Sequence, residues 1–386
     1  MKGITVKLVA GLMLLVMVFL AACSSPATSA TTAPATSKPP TTTAPATSAP
    51  ATTAPTTTAP TTPLKTWKLK MSFEQANTSF YYLWGHQPFA DKVKEVTKGR
   101  VTLDLYPSQT LLKSADSWQG VKTGITDVAW AFTGLFPGQF ELIEAINLPF
   151  VVPNAAIGSR VVWDLYTSFP EIQKQFEGVK VLTIWTAEPH YYVSNKKFLK
   201  TMDDFKGMKV RASGGPPTEL MKNMGASPML FGMPDVYMNL QKGVIDVAQC
   251  SSESYLGYRL YEVAKYVTFV PAVANVHFLI MNQSVWDSFP KDIQDQLTSI
   301  SGQTGAIFYG EGVYEKSRQV LPDEIKKAGY TAEYYTVPQD ELQKWVTNAA
   351  VPTYTDWLAK MKGKGSTSAQ QIFDQIPVLV KKYSAK

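Results

Sequence analysis

The chain has 386 residues, a net charge of +6, 45% hydrophobic residues and two cysteines. Its basic residues are dispersed, with no arginine-rich block and no aromatic nucleic-acid motif, so nucleic acid is not an expected partner. Near-average apolar content can build a core without covalent staples, and the cysteine count offers no disulfide framework.

At the N-terminus Lys2 and Lys7 precede an apolar run over residues 8–20, followed by Ala21, Ala22 and Cys23. A membrane-spanning helix needs ~20 apolar residues, and this run of about 13 is too short, so residues 1–22 read as a secretory signal peptide. Leu20-Ala21-Ala22-Cys23 looks like a bacterial lipobox, with Cys23 carrying a diacylglycerol after cleavage; the alternative is an ordinary cleavage site with an incidental cysteine. Lipidation would leave Cys250 alone, with no intramolecular disulfide despite an oxidising destination. Residues 24–63 collapse to Thr, Pro, Ala and Ser with one charge at Lys38. Proline favours polyproline II, so 23–65 is expected to be the lipidated cysteine and a semi-stiff tether reaching on the order of 100 Å from the membrane.

Roughly 320 residues remain, enough for two lobes at an ordinary domain size. Residues 67–72 alternate like a strand, and 81–97 carry Leu83, Phe89, Val93 and Val96 at helical spacing, with Gly99 closing the helix. A strand at 101–106, a short helix near 117–123 and a buried strand at 128–131, ending in Trp130, Phe132 and Thr133, complete an α/β opening. A strand at 179–186 leads to a second set of units at 208–211, 217–224 and 244–250. Residues 188–194 and 274–282 are the expected crossings between lobes, which places lobe I at 66–188 and 277–316 and lobe II at 189–276 and 317–386. A long helix over 291–314, with Ile293, Leu297, Ile300, Thr304 and Ile307 on one face, is expected to span both lobes. Pro322 should end or kink it, and Leu342, Trp345, Val346 and Ala349 mark a later amphipathic helix.

Enzymatic signatures are scarce. His86, His190 and His277 are isolated, so no metal site is expected, and no cofactor motif is present. There is no Gly-x-Ser-x-Gly elbow, no P-loop and no dinucleotide fingerprint, and Ser251 and Ser252 have no neighbouring base in sequence. The informative segment is residues 203–216, where a turn at Gly207 launches a strand ending in Arg211, followed by Ala212-Ser213-Gly214-Gly215-Pro216. Ligands of open α/β sheets bind beyond the carboxyl ends of the strands, and an arginine there can grip a carboxylate through paired N–H donors. From position alone, the alternative is a surface arginine paired with an acid.

The sequence from Trp67 nearly to the C-terminus resembles the substrate-binding subunits of tripartite ATP-independent periplasmic (TRAP) transporters, of the dicarboxylate-binding type. The resemblance is carried by residues 89–93 and 97–101, Val121-Lys122-Thr123-Gly124 with Asp127, Leu148-Pro149-Phe150, and Ser194-Asn195-Lys196-Lys197. It continues through 205–211, Gly225-Ala226-Ser227-Pro228-Met229, 235–237 and 240–246, then His277 and Trp286. It implies a two-lobed α/β periplasmic-binding-protein fold with hinge strands and a helix across both lobes. It also implies a ligand buried between the lobes, membrane subunits on separate chains, and an arginine matching Arg211 on the ligand carboxylate. The family's usual residues after the aspartate matching Asp246 are replaced by Val247-Ala248-Gln249-Cys250, which changes the second polar contact and any metal-assisted binding. Sialic-acid binders carry an arginine near 186–190, where this chain has Glu188 and His190, so sialic acid is not expected.

Further lining residues expected are Asn77, Trp130, Phe132, Trp185, Gln249 and Cys250. The aromatics could equally be core, Asn77 a helix cap, Cys250 a small buried hydrophobe and His277 a structural hydrogen-bonding group. The expected function is a solute-binding protein without catalytic activity, holding a small carboxylate with an apolar or aromatic body. A ligand-sensing receptor is the second reading and an envelope hydrolase the third.

Overall fold

The computed structural model describes residues 65–385. The expectations for the signal peptide, Cys23 and the tether fall on residues 1–64, outside that range. No described helix is long and apolar enough to cross a membrane.

In chain order the strands are β1 (Trp67–Ser72), β2 (Val101–Tyr106), β3 (Val128–Phe132), β4 (Val179–Thr186), β5 (His190–Ser194) and β6 (Lys209–Ala212), then β7 (Ser227–Leu230), β8 (Val247–Cys250), β9 (Tyr266–Val273), β10 (Val276–Asn282) and β11 (Glu333–Thr336). They form two sheets, ordered β2-β1-β3-β10-β4 and β11-β9-β5-β8-β6-β7. In the first, β1 pairs in parallel with β2 and β3, while β10 runs antiparallel between β3 and β4. In the second, β6 lies parallel between β7 and β8, and β5 is antiparallel to β8 and β9.

The chain passes between sheets from β4 to β5 and back from β9 to β10. The two crossings are tied to each other, because the Ala187 amide donates to the Asn275 carbonyl at 2.9 Å. Two adjacent extended segments joined by a main-chain bond make a natural hinge.

The helix expected over 291–314 is instead two. Lys291–Ile300 buries Ile293, Leu297 and Ile300, and then the chain breaks at Ser301, with Gly302 at φ +58°. The second run starts at Gly302–Tyr309, continues through a π turn at Gly310–Glu315 and ends in Lys316–Lys327. The break rotates the apolar face: Thr304 is exposed, and Ala306 and Tyr309 are buried in its place. At ~1.5 Å per residue, residues 302–327 reach about 40 Å. The run starts against β4 of the first sheet and ends with Leu321 and Ile325 in the apolar cluster of the second. Pro322 lies inside this helix and does not end it. Burial of Leu321 and Ile325 on both sides of the proline outweighs the lost hydrogen bond.

The first helix also departs from its expected register. A π turn at Tyr82–His86 precedes Gln87–Val96, and the extra residue turns His86 inward and Leu83 outward, leaving Leu83 49% exposed. At the C-terminus, Val351–Gly363 packs on Gly215–Asn223, but the last helix, Ala369–Ser384, packs on Ala155–Ser168 beside the first sheet. There Lys382 and Tyr383 bond Asp164, so the chain end returns to the first lobe, contrary to the expected assignment of all of 317–386 to the second.

Candidate functional site

A capping box formed by Thr201 and Asp204 and a left-handed Gly207 (φ +71°) set up β6. Flanked by β7 and β8, β6 buries Arg211 opposite Met229 and Ala248. The guanidinium is held by main chain from the neighbouring segments: Nε donates to the Phe231 carbonyl at 3.2 Å and Nη1 to the Gln249 carbonyl at 3.0 Å. Nη2 makes no hydrogen bond. Three of the five N–H donors, one on Nη1 and both on Nη2, therefore have no partner among the described residues.

The first lobe supplies the opposite wall. Trp130 and Phe132 are two apart on β3 and share a face. The Trp130 indole donates to the Tyr81 hydroxyl at 2.8 Å. His277 stands opposite Phe132 in register, with its ring 5.4 Å from that of Trp130, and its Nε2 is 3.2 Å from the Tyr314 hydroxyl. Burial holds His277 neutral, with its pKa pushed down to about 3, and holds His190 neutral as well.

Both walls enclose a cavity of about 20 Å³, room for a single water molecule. Arg211, Trp130 and Phe132 line it, together with Glu74, Glu253 and Tyr258 among others. The lobes are shut around it: a Cβ at Gly134 would collide with the Ser213 carbonyl, and one at Gly214 would lie 2.7 Å from the Gly134 carbonyl. A larger cavity of about 540 Å³ borders the same contact, but its only basic side chain, Lys360, is paired with Glu141 at 2.7 Å.

Four of the expected residues are not among those lining the small cavity. Trp185 is packed under Tyr309, with ring centroids 4.2 Å apart and planes 12° apart, because the 302–327 helix covers that face of β4. Asn77 is exposed in a turn, and the hydroxyl that caps the following helical turn is that of Ser79, which accepts from the Tyr82 amide. Cys250 belongs to the apolar cluster with Tyr191 and Tyr255, where burial pushes its thiol pKa up. Gln249 acts through its carbonyl on Arg211, while its side chain accepts from the Ser213 hydroxyl at 3.3 Å.

Sequence reasoning missed Glu74, Glu253 and Tyr258. Burial raises the Glu74 carboxyl to about 7, against the opposing pull of Arg211, and raises Glu253 to about 8, with Glu74 adding to the effect. The rule that selected Arg211 would have found both acids. Glu74 lies just past the end of β1 and Glu253 just past the end of β8. Neither Ser251 nor Ser252 bonds a histidine: their hydroxyls meet Ser254 and Tyr191.

Over residues 74–360 the sequence matches the family described as bacterial extracellular solute-binding protein, family 7. The chain belongs to this family. Among its relatives, the protein named outer membrane transporter protein TsaT of Comamonas testosteroni is 27% identical over 292 residues, 75% of this chain and 84% of that protein. A TRAP solute-binding protein of Rhodoferax ferrireducens, solved with copurified benzoate, superposes with a TM-score of 0.77 at 26% identity, covering 83% of this chain and 99% of that one. The fold is also shared with a TRAP protein of Bordetella bronchiseptica at a TM-score of 0.75 and 24% identity, over 82% and 99% of the two chains. The protein is thus an extracytoplasmic solute-binding protein of the TRAP type, and Arg211 and the aromatic wall occupy the closed cleft between its lobes.

Proposed function

We propose that this solute-binding protein captures a monocarboxylate with an apolar or aromatic body and delivers it to membrane subunits on separate chains. The observation that carries the reading is the Arg211 guanidinium, buried at the lobe interface with Nη2 free of protein partners and facing a wall built on Trp130 and Phe132. No lysine or second arginine lines the cavity to receive another carboxylate. The benzoate found in the Rhodoferax ferrireducens relative supports the same class. Trp185 acts behind the wall, stacked near His277 at 6.0 Å.

Calorimetric titration of aliphatic and aromatic monocarboxylates, four- and five-carbon dicarboxylates and neutral analogues tests the reading. Arg211→Ala should cost about 3–5 kcal/mol, or roughly a hundred- to several-thousand-fold in affinity, and Arg211→Lys should recover only part of it. A clear preference for a dicarboxylate, or undiminished binding by Arg211→Ala, sinks it.

The apolar run ending in Leu20-Ala21-Ala22-Cys23 supports a lipid anchor at Cys23, with the Thr/Pro/Ala-rich segment as tether. Metabolic labelling with a fatty-acid analogue should mark the wild type and not Cys23→Ala; equal labelling of both excludes the anchor.

A further inference from the structure

Arg211 is the only arginine or lysine lining the closed cavity, yet two carboxyl groups share the space with it, Glu74 from the first lobe and Glu253 from the second. Glu253 is 2% exposed, and its Oε2 accepts from the Ser254 hydroxyl at 3.3 Å while its Oε1 has no hydrogen-bond partner. The main-chain amide of Tyr81 also lies near this carboxyl and favours its charged form. His190, on the same wall and 5% exposed, likewise has Nδ1 buried and unpartnered. Buried polar atoms are rarely left unpaired, and those beside a ligand cleft are the ones a ligand is positioned to meet.

The acids are not equivalent in position. Glu74 is the strongest charge acting on Arg211, and its Oε1 already accepts from the Tyr258 hydroxyl at 3.3 Å. The charges acting on Glu253 are those of Glu74 and Glu188. Glu74 is thus the acid coupled to the guanidinium, while the charges that act on Glu253 are those of other acids. Trp130 and Phe132 line the same cavity. A carboxylate on Arg211 with nothing to offset it would add a negative charge to a space that already holds two acids. A donor group elsewhere on the same ligand relieves that imbalance.

We propose that the cognate ligand is bipolar: beyond the carboxylate and apolar body it carries a hydroxyl or ammonium group that donates a hydrogen bond to Glu253. The inference rests on the carboxylate reading of Arg211. Burial that disfavours a lone Glu253 anion makes it a good partner for an ammonium, which restores the charged form, and a hydroxyl can donate to it in either form.

Calorimetry with benzoate, the hydroxybenzoate isomers and the aminomethylbenzoate isomers decides the matter. At least one substituted isomer should bind about tenfold or more tighter than benzoate. Glu253→Gln should erase most of that gain relative to benzoate measured in the same variant, and a wild-type circular-dichroism spectrum and melting transition show that the variant is folded. Benzoate binding as tightly as every substituted isomer overturns the inference and leaves the carboxylate reading standing, and so does a preference that survives Glu253→Gln. Failure of every acid, benzoate included, overturns both. The wild-type series alone decides where the variant does not fold.

Discussion

The two walls of the cleft are built on opposite principles. The first-lobe wall is an aromatic stack whose polar atoms are mostly spoken for: the Trp130 indole is bonded to Tyr81, and His277 Nε2 lies against the Tyr314 hydroxyl. The second-lobe wall carries the cation, with Arg211 fixed by two carbonyls and Glu253 only half satisfied, while the first lobe adds the Glu74 carboxyl, bonded to Tyr258, and an unpartnered His277 Nδ1. One wall gives shape and belongs to its lobe's core; the other gives recognition and keeps donors and acceptors in reserve. Substitutions on the first wall should therefore read out mainly in stability, and those on the second mainly in affinity.

The largest stability effect should come from Trp130→Ala, which removes a fully buried indole and leaves Tyr81 without its donor. A loss of about 3–5 kcal/mol in chemical denaturation is expected. Arg211→Ala, by contrast, should move the denaturation midpoint far less than it moves ligand affinity. A loss of stability from Arg211→Ala as large as that from Trp130→Ala would break the division between walls.

Gly134→Ala tests the contact that shuts one wall against the other. Its Cβ meets the Ser213 main chain, which cannot swing aside as a side chain would. The variant should keep wild-type stability, lose about tenfold or more in affinity, and show a larger radius with ligand by small-angle scattering. Wild-type compaction on ligand addition would contradict this.

The smallest effect is a pH dependence of the ligand-free protein. Glu74, Glu188 and Glu253 have carboxyls raised by burial to about 7, 7 and 8 from 4.5. The folded state then holds protons that the unfolded chain releases, so these groups favour folding below 4.5 and lose that contribution as pH rises through 7 and 8. The melting temperature should fall over that window, and Glu253→Gln should flatten the fall. A melting temperature that rises from acid to neutral pH in both proteins would contradict the buried acids. Ligand affinity should fall as pH rises above about 7, where Glu74 of the free protein ionises, because a carboxylate on Arg211 removes the attraction that favours the charged form of Glu74 and so draws in a proton.

Much of the fold was legible because its signals are local. Alternation marks β1 and β2, and the Gly207 turn and small residues around Arg211 mark the end of β6. The errors arise where packing overrides local pattern. Leu83 sits at helical spacing but is turned out by a π turn, and Pro322 stays helical because Leu321 and Ile325 are buried around it. Arg211, Trp130 and Phe132, expected from their places at strand ends, line the small cavity between the lobes. Trp185 was misplaced because the helix that covers it comes more than a hundred residues later in the chain. Glu74 and Glu253 were overlooked because an acid is not an intuitive neighbour for a carboxylate, although strand ends place both of them.

Arg211 is moored on two sides by main-chain carbonyls, from the segment after β7 and from β8. Its conformational entropy is therefore surrendered during folding and not when cargo arrives, so an incoming acid meets a receptor that is already frozen in shape. The same mooring leaves the grip with no way to slacken by itself. Between the shut lobes there is room for only a single water, so cargo enters and leaves only when the lobes are drawn apart, and whatever opens the hinge at the membrane also sets the moment of unloading.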